Sequence, residues 1–218
     1  MILKNKEEAV KIIEKLKQMY PDDTCSLDFT TPFEMGIAVM LSAQCTDARV
    51  NLTTPKLFSR CKTPVDYIDI DIKELEELIH PCGFYKNKAK NIKGYAEKIK
   101  NQYNGVLPDT MEELITLPGI GRKSANVIML EAFNNPCGIA VDTHAKRIAN
   151  RLGLSNKNEP SKIEQDLLKI IPKKYLKDVN HLLVWHGRNL CTARNPKCEK
   201  CELRKNCNYY KNKKCENE

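Results

Sequence analysis

Several features that would mark other protein classes are missing from this chain of 218 residues. No stretch approaches the roughly 20 apolar residues of a membrane span. The start of the chain, from Met1 to Tyr20, is charged and amphipathic rather than an apolar secretory signal. Aromatic residues are sparse, at 6%. Apolar and polar residues nowhere alternate over a sustained stretch, which argues against a β-sheet. We therefore expect a helical cytoplasmic protein without membrane contact.

Acidic residues are too few to balance the basic ones. The chain has 36 Lys and Arg against 28 Asp and Glu, a net charge of +8. A basic balance favours polyanionic partners, although many proteins of other classes share it. Residues 187–214 hold nine basic residues against two glutamates; the basic residues are Arg188, Arg194, Lys197, Lys200, Arg204, Lys205, Lys211, Lys213 and Lys214. This stretch is either a solvated tail or a surface that faces phosphates.

Ten cysteines in a chain without a secretory signal are better explained by metal ligation or free thiols than by disulfides. Four of them follow the pattern Cys191-x6-Cys198-x2-Cys201-x5-Cys207. Thiolates at such short spacings can enclose one metal centre. Zinc sites usually contain two short Cys-x2-Cys pairs, whereas this segment has one, so structural zinc is the less favoured alternative. The remaining cysteines show no ligand spacing: Cys25, Cys45, Cys61, Cys82, Cys137 and Cys215.

Apolar residues recur at helical spacing along most of the chain. The predicted helices are Lys6–Tyr20, Pro32–Ser42, Leu75–His80, Ala89–Gln102, Glu112–Leu117, Arg122–Phe133, Thr143–Leu152, Ser161–Ile171 and Val179–Leu190. Helix-breaking residues at 134–136 indicate a boundary between the predicted helices Arg122–Phe133 and Thr143–Leu152. The last thirty residues hold little apolar surface, so we expect them to need a metal centre in order to fold.

Two glycines lie between two predicted helices, in the segment Leu-Pro-Gly-Ile-Gly-Arg-Lys at 117–123. Glycines permit a tight hairpin and a close approach to a ligand, and Ile120 between them can pack into the core. The free N–H groups at the start of the second helix favour an anion. The segment resembles the helix-hairpin-helix motif, whose ligand is a DNA backbone phosphate. The DNA contacts predicted here are Gly119, Gly121 and Arg122.

Lys123 and Asp142 are the candidate catalytic residues. Lys123 lies in the first turn of a helix, where the helix dipole disfavours the ammonium form, and partial burial would act in the same direction. A neutral amine is a nucleophile, whereas an ammonium is not; the alternative is an ordinary solvated surface lysine. Asp142 follows an apolar run and begins the next helix as its N-cap. Its carboxylate could accept a proton from Lys123 or stabilise positive charge at a sugar C1′.

Four segments together resemble, in order, the endonuclease III family of DNA repair enzymes: Leu-Ser-Ala-Gln-Cys-Thr-Asp at 41–47, the hairpin at 117–123, Val-Asp-Thr-His at 141–144, and the cysteine loop. The resemblance covers essentially the whole chain. It implies an all-α fold of two helical domains with the active cleft between them. Residues 22–135 would form a helical barrel domain bearing the hairpin. Residues 1–21 and 136–218 would form the iron–sulfur domain.

The resemblance also implies an activity, namely base-excision repair of duplex DNA. Oxidised pyrimidines such as thymine glycol would be removed by N-glycosylase action. Lys123 would form a Schiff base with the sugar, assisted by Asp142, and β-elimination would then cleave the strand 3′ to the lesion. Cys191, Cys198, Cys201 and Cys207 would hold a [4Fe-4S] cluster. The expected partner is damaged double-stranded DNA, bound by a monomer associated with the nucleoid.

Further DNA contacts follow from the same resemblance. Gln44 matches the family residue that enters the space left by a flipped nucleotide. Phe84 occupies the position where the family often has an aliphatic wedge, and an aromatic ring could also unstack a base step. Arg194, Lys197 and Lys200 would present positive charge to phosphates from within the cysteine loop. We assign no catalytic role to His144 or His186.

Three alternatives are less favoured. A related adenine glycosylase would have a catalytic Glu where this chain has Ala38, and would usually lack the hairpin lysine. A mismatch thymine glycosylase would usually lack that lysine too. A non-catalytic DNA-binding or redox-sensing protein would need neither Lys123 nor Asp142.

Overall fold

The computed structural model describes residues 3–21 and 25–215, with side chains up to residue 212. Those ranges contain α-helices, short 3₁₀ turns and loops, and no β-strand. The all-α fold predicted from the sequence is confirmed. In the described part of the chain, no helix is both long enough and apolar enough to cross a membrane.

The chain divides into two compact units. The middle unit is Cys25–Asn135, and the other is formed by Met1–Thr24 together with Pro136–Glu218. The helices of the middle unit are α2 (Pro32–Ser42), α3 (Asp47–Arg60), α4 (Pro64–Asp69), α5 (Ile72–Ile79), α6 (Tyr85–Gln102), α7 (Met111–Leu114) and α8 (Arg122–Glu131). Those of the other unit are α1 (Lys6–Met19), α9 (Thr143–Leu152), α10 (Pro160–Ile170), α11 (Leu176–Asn189) and α12 (Asn208–Cys215). The predicted domain boundary at residue 22 lies outside the described residues.

Helix α2 is at the centre of the middle unit. Thr31 and Glu34 form a capping box at its start, and Pro32 occupies its first turn, where a missing N–H costs nothing. Every residue from Phe33 to Leu41 except Glu34 is buried, and the helix packs against α3, α6 and α8. This apolar helix therefore positions the loop that follows it, which contains Gln44.

In the other unit, α1 packs against α10 and α11, so residues from both ends of the sequence share one core. Two polar contacts reinforce this packing. The Tyr175 hydroxyl donates to the Glu14 carboxylate at 2.6 Å, and Lys17 pairs with Asp178 at 2.8 Å. Helix α9 packs mainly on α11 and also against α12, which places the residue before α9, Asp142, on a well-supported element.

Three of the helices in the described residues were not predicted from the sequence. Helix α3 contains Pro55, a residue that normally breaks helices. Burial of Val50 and Leu57 in the core holds α3 together, and the Thr53 hydroxyl donates to the Arg49 carbonyl at 2.9 Å. The short helix α4 begins at a Thr63 cap. Helix α12 lies in the polar C-terminal stretch; the side chains of Lys213, Lys214 and Cys215 are outside the described residues.

Candidate functional site

The hairpin begins with α7, which is capped by Thr110. The Thr110 hydroxyl oxygen accepts a hydrogen bond from the N–H of Glu113 at 3.3 Å. The chain then turns, and the N–H of Ile120 donates to the carbonyl of Leu117 at 3.1 Å. Ile120 is only 4% exposed. The prediction that this side chain packs into the core is confirmed.

The two glycines of the hairpin serve different purposes. Gly119 has a φ of +77°, and a Cβ there would lie 2.6 Å from Met40 Sδ and 3.1 Å from Asn91 Cβ. Gly121 has an ordinary φ of −96°, and a Cβ there would meet nothing within 4 Å. Gly119 is therefore required by the protein's own packing. Gly121 instead leaves a bare patch of backbone on the outer face of the hairpin.

Helix α8 starts at that bare patch. Gly121 is its N-cap, with no side-chain hydrogen bond to the first-turn amides and no acidic residue in the first turn. A helix start of this kind attracts an anion. Arg122 and Lys123 are both exposed beside it. The partial burial considered for Lys123 is therefore wrong.

Asp142 is the N-cap of α9, as predicted. Its Oδ1 accepts a hydrogen bond from the N–H of Ala145 at 2.7 Å, and the residue is half-buried. When one oxygen of a capping carboxylate is fixed in this way, its second oxygen can still accept another hydrogen bond. Asp142 belongs to the unit formed by both chain ends, whereas Lys123 belongs to the middle unit.

The segment leading to Asp142 is held by a residue that the sequence did not single out. The buried Asn180 accepts from the N–H of Ala140 at 2.7 Å and donates to the carbonyls of Gly138 and Leu176 at 3.2 and 2.7 Å. One amide side chain therefore satisfies backbone groups on α11 and on the segment before Asp142. No sequence motif marks this role, because Asn is common in polar helix positions.

Gln44 and Phe84 lie in two loops of the middle unit. Gln44 follows α2 with a φ of +54°, and Phe84 precedes α6 with a φ of +47°. Both side chains are exposed, and Phe84 is 67% exposed.

The four cysteines of the C-terminal pattern line one pocket, together with Leu152, His186 and Tyr209. Among the described residues, no three His, Cys, Asp or Glu side chains are placed to hold one metal ion. A zinc ion would require its sulfurs to converge at about 2.3 Å from a single point. A cluster with iron at several corners needs thiolates set around a cavity, and the four cysteines line one pocket.

The surroundings of the pocket suit a buried cluster. Burial raises the pKa of the Cys201 thiol to about 11, so thiolates here require a cationic centre. Arg151 Nη1 lies 3.3 Å from Cys191 Sγ. His186 is 1% exposed, with Nε2 3.8 Å from Cys201 Sγ, and burial lowers its pKa to about 4. His186 therefore packs beside the thiols as a neutral ring.

The three basic residues predicted to face DNA, Arg194, Lys197 and Lys200, are all exposed. Arg204 behaves differently, because it donates to the carbonyl and the carboxylate of Glu199 at 2.9 and 3.2 Å. The three predicted cations of the cysteine loop are therefore exposed, as is Lys205, whereas Arg204 bonds within the loop.

Comparisons with known proteins agree with this geometry. Residues 37–173 match the family described as HhH-GPD superfamily base excision DNA repair protein, and residues 191–207 match the iron–sulfur binding domain of endonuclease III. The endonuclease III of Synechocystis sp. is 47% identical over 93% of this chain and 92% of its own length. That of Bacillus subtilis is 42% identical over 89% of each chain.

A solved structure of a trapped endonuclease III–DNA covalent intermediate is also similar. It shares 41% identity and a TM-score of 0.92, covering 97% of this chain and 100% of that one. The predicted fold, activity and cofactor are thereby confirmed. The chain belongs to the endonuclease III family of base-excision DNA glycosylases and abasic-site lyases, which bind DNA and carry a [4Fe-4S] cluster.

Proposed function

We propose that this enzyme acts on oxidised pyrimidines in duplex DNA, with Lys123 as the nucleophile and Asp142 as its partner. The observation that carries the assignment of Lys123 is its exposed position in the first turn of α8, beside the uncovered helix start. A relative trapped in a covalent intermediate with DNA supports a nucleophilic mechanism. Desolvation of the amine then comes from the bound DNA rather than from the protein.

The reaction proceeds in two stages. The damaged nucleotide is flipped out of the helix, at a cost of a few kcal/mol that a lesion reduces. The neutral amine of Lys123 attacks C1′, the bond from C1′ to the base breaks, and the base leaves with a proton. The nitrogen loses one proton to Asp142 or solvent. The C1′–O4′ bond then breaks, O4′ takes up a proton, and a protonated Schiff base forms between the nitrogen and C1′. Removal of a proton from C2′ then expels the 3′ phosphate by β-elimination.

The DNA contacts are distributed over three surfaces. The amides at the start of α8, with Gly119, Gly121 and Arg122, bind a backbone phosphate. Gln44 and Phe84 enter the base stack. Arg194, Lys197 and Lys200 contact phosphates electrostatically.

Cys191, Cys198, Cys201 and Cys207 are the proposed cluster ligands, and the cluster orders the loop that carries the three cations. We assign residues 22–135 and residues 1–21 with 136–218 as two domains. The enzyme works as a monomer on damaged duplex DNA at the nucleoid.

Borohydride trapping on a duplex with one thymine glycol tests this function. Cluster-loaded enzyme is expected to give a covalent protein–DNA band that Lys123→Gln abolishes while retaining DNA binding. Lys100→Gln, which removes an exposed lysine from the same unit, is the matched control and should trap normally. A band of equal intensity from Lys123→Gln would remove Lys123 from the mechanism. No band from the wild type, even on an abasic-site duplex, would refute the proposal.

A further inference from the structure

Lys88 is a lysine buried inside the middle unit. Its side chain is in the first turns of α6, and the residue is only 6% exposed. An ammonium group carries three N–H donors. Those of Lys88 reach the carbonyl oxygens of Leu41, Ala43 and Cys82, at 2.8, 2.8 and 3.0 Å. The buried charge is therefore satisfied entirely by backbone carbonyls.

The three carbonyls belong to the two loops that carry the proposed intercalating residues. Leu41 and Ala43 are at the C-terminal end of α2, and Gln44 follows immediately. Cys82 ends a 3₁₀ turn, two residues before Phe84. One ammonium thus bonds to the backbone of both loops within two or three residues of each exposed tip.

Both tips have an unusual backbone conformation. Among the described residues, the non-glycine positions with positive φ are Gln44, Phe84, Asn104 and Asn134. Asn tolerates this region, whereas Gln and Phe adopt it only when their surroundings impose it. The two residues proposed to enter DNA are therefore the two that most need external support, and Lys88 bonds next to both.

Packing alone does not explain a buried lysine at position 88, because burying its charge is unfavourable. Burial lowers the pKa of its ammonium group, and a cation near the start of a helix opposes the helix dipole. An apolar side chain of similar length would fill the same space without these costs. What an apolar residue would not provide is a directional link between the ends of two loops.

We infer that Lys88 is a positioning residue, which sets the spacing of Gln44 and Phe84 so that both enter the base stack together. The inference rests on the proposed function, since it assumes that these two residues open the duplex. It predicts that Lys88 matters for extruding a nucleotide and not for the chemistry at C1′.

Lys93 offers a matched control on the same helix. Its ammonium also donates to three carbonyls, those of Tyr67, Ile68 and Ile70, at 3.3, 2.7 and 2.6 Å. These carbonyls are at the end of α4, where neither loop is involved. Lys88→Met and Lys93→Met each remove a comparable set of hydrogen bonds, but only the first disturbs the loops.

The experiment measures cleavage by cluster-loaded protein on two substrates. One is a duplex with thymine glycol, and the other is a single strand with an abasic site, which needs no base extrusion. Lys88→Met is expected to lose on the order of 10²-fold in kcat/KM on the duplex and to keep wild-type activity on the single strand. Lys93→Met should behave like the wild type on both.

A second measurement tests whether Lys88 affects cleavage through the opening of the duplex. A 2-aminopurine opposite the lesion brightens when the duplex is opened, and Lys88→Met should abolish this signal. Because Lys88 would act through the loop tips, adding Lys88→Met to Gln44→Ala should cost much less than its effect alone.

Equal losses by Lys88→Met on the two substrates, or a parallel loss by Lys93→Met, would reduce Lys88 to a structural residue and overturn the inference. So would full activity of Lys88→Met on the duplex. If the wild type cleaved neither substrate, the proposed function would fail instead, and the 2-aminopurine comparison would still decide the role of Lys88.

Discussion

The backbone N–H of Ala140 donates to the side-chain oxygen of Asn180 at 2.7 Å, two residues before Asp142. This bond ties the segment that ends at the proposed catalytic carboxylate to the middle of α11. The position of Asp142 is therefore fixed from both sides, by its own helix cap and by a buried amide on a neighbouring helix.

Replacing Asn180 with Leu should damage both stability and activity. The change leaves the N–H of Ala140 and the carbonyl of Gly138 without their partner, so we expect the free energy of unfolding to fall by about 3 kcal/mol. Lyase activity on a preformed abasic site should also fall, because Asp142 loses its support. Chemical denaturation and single-turnover kinetics check this. Asn189→Leu, which removes one exposed bond to the carbonyl of Trp185, is the control; equal effects would contradict the prediction.

The carboxylate of Asp142 can be separated from its capping role. Asn caps helices about as well as Asp, so Asp142→Asn should leave the free energy of unfolding within about 0.5 kcal/mol of wild type. Excision of thymine glycol should nevertheless fall by on the order of 10²-fold, as expected on losing one acid–base group. Asp142→Ala should lose activity and about 1 kcal/mol of stability. An active Asp142→Asn enzyme would confine Asp142 to capping.

The two hairpin glycines should respond differently to the addition of one methyl group. Gly119→Ala forces a positive φ on alanine and pushes a Cβ against Met40, so we expect a loss of about 2 kcal/mol in unfolding free energy. Gly121→Ala has an allowed φ and open space, and should cost less than about 1 kcal/mol. It should instead weaken binding to duplex DNA, measured by fluorescence anisotropy. Equal stability losses would mean that the packing at Gly119 is relaxed.

The outward cations of the cysteine loop should appear in the salt dependence of DNA binding. Replacing Arg194, Lys197 and Lys200 together by Ala should reduce the slope of log K against log salt by about 0.9 for each phosphate that the variant no longer neutralises. The absorbance near 400 nm should persist, since no proposed ligand changes. A triple change of the exposed Lys62, Lys73 and Lys100 is the charge-matched control. An unchanged slope in the first variant would remove this loop from the interface.

Removal of one proposed ligand should affect the whole loop. Cys201→Ala is expected to lose the absorbance near 400 nm, together with protection of residues 191–207 from protease. Cys137→Ala removes an exposed cysteine from the same unit and should change neither property. The physical reason is that the loop holds little apolar surface and depends on the metal centre for its order. Normal absorbance from Cys201→Ala would exclude this cysteine as a ligand.

Much of this arrangement could be predicted from the sequence, because its signals are local. The buried face of α2, the glycines of the hairpin and the cysteine spacing each reflect chemistry within a few residues. Helix α3 was not predicted because Pro55 interrupts the helical pattern of the sequence. The helix is stabilised by the packing of Val50 and Leu57 in the core, which is a tertiary contact. Asn180 and Lys88 were missed for the same reason, since their partners lie about forty residues away.

The packing of α1 onto α10 and α11 has a consequence for synthesis on the ribosome. The middle unit, Cys25–Asn135, is continuous in sequence and can fold as soon as it has emerged. Helix α1 is made first, but its contacts with Tyr175 and Asp178 span 161 residues. The apolar face of α1 therefore stays exposed until α11 has been synthesised. The middle unit is thus able to fold before the other unit is complete, and the cluster can bind only after residues 191–207 have been synthesised.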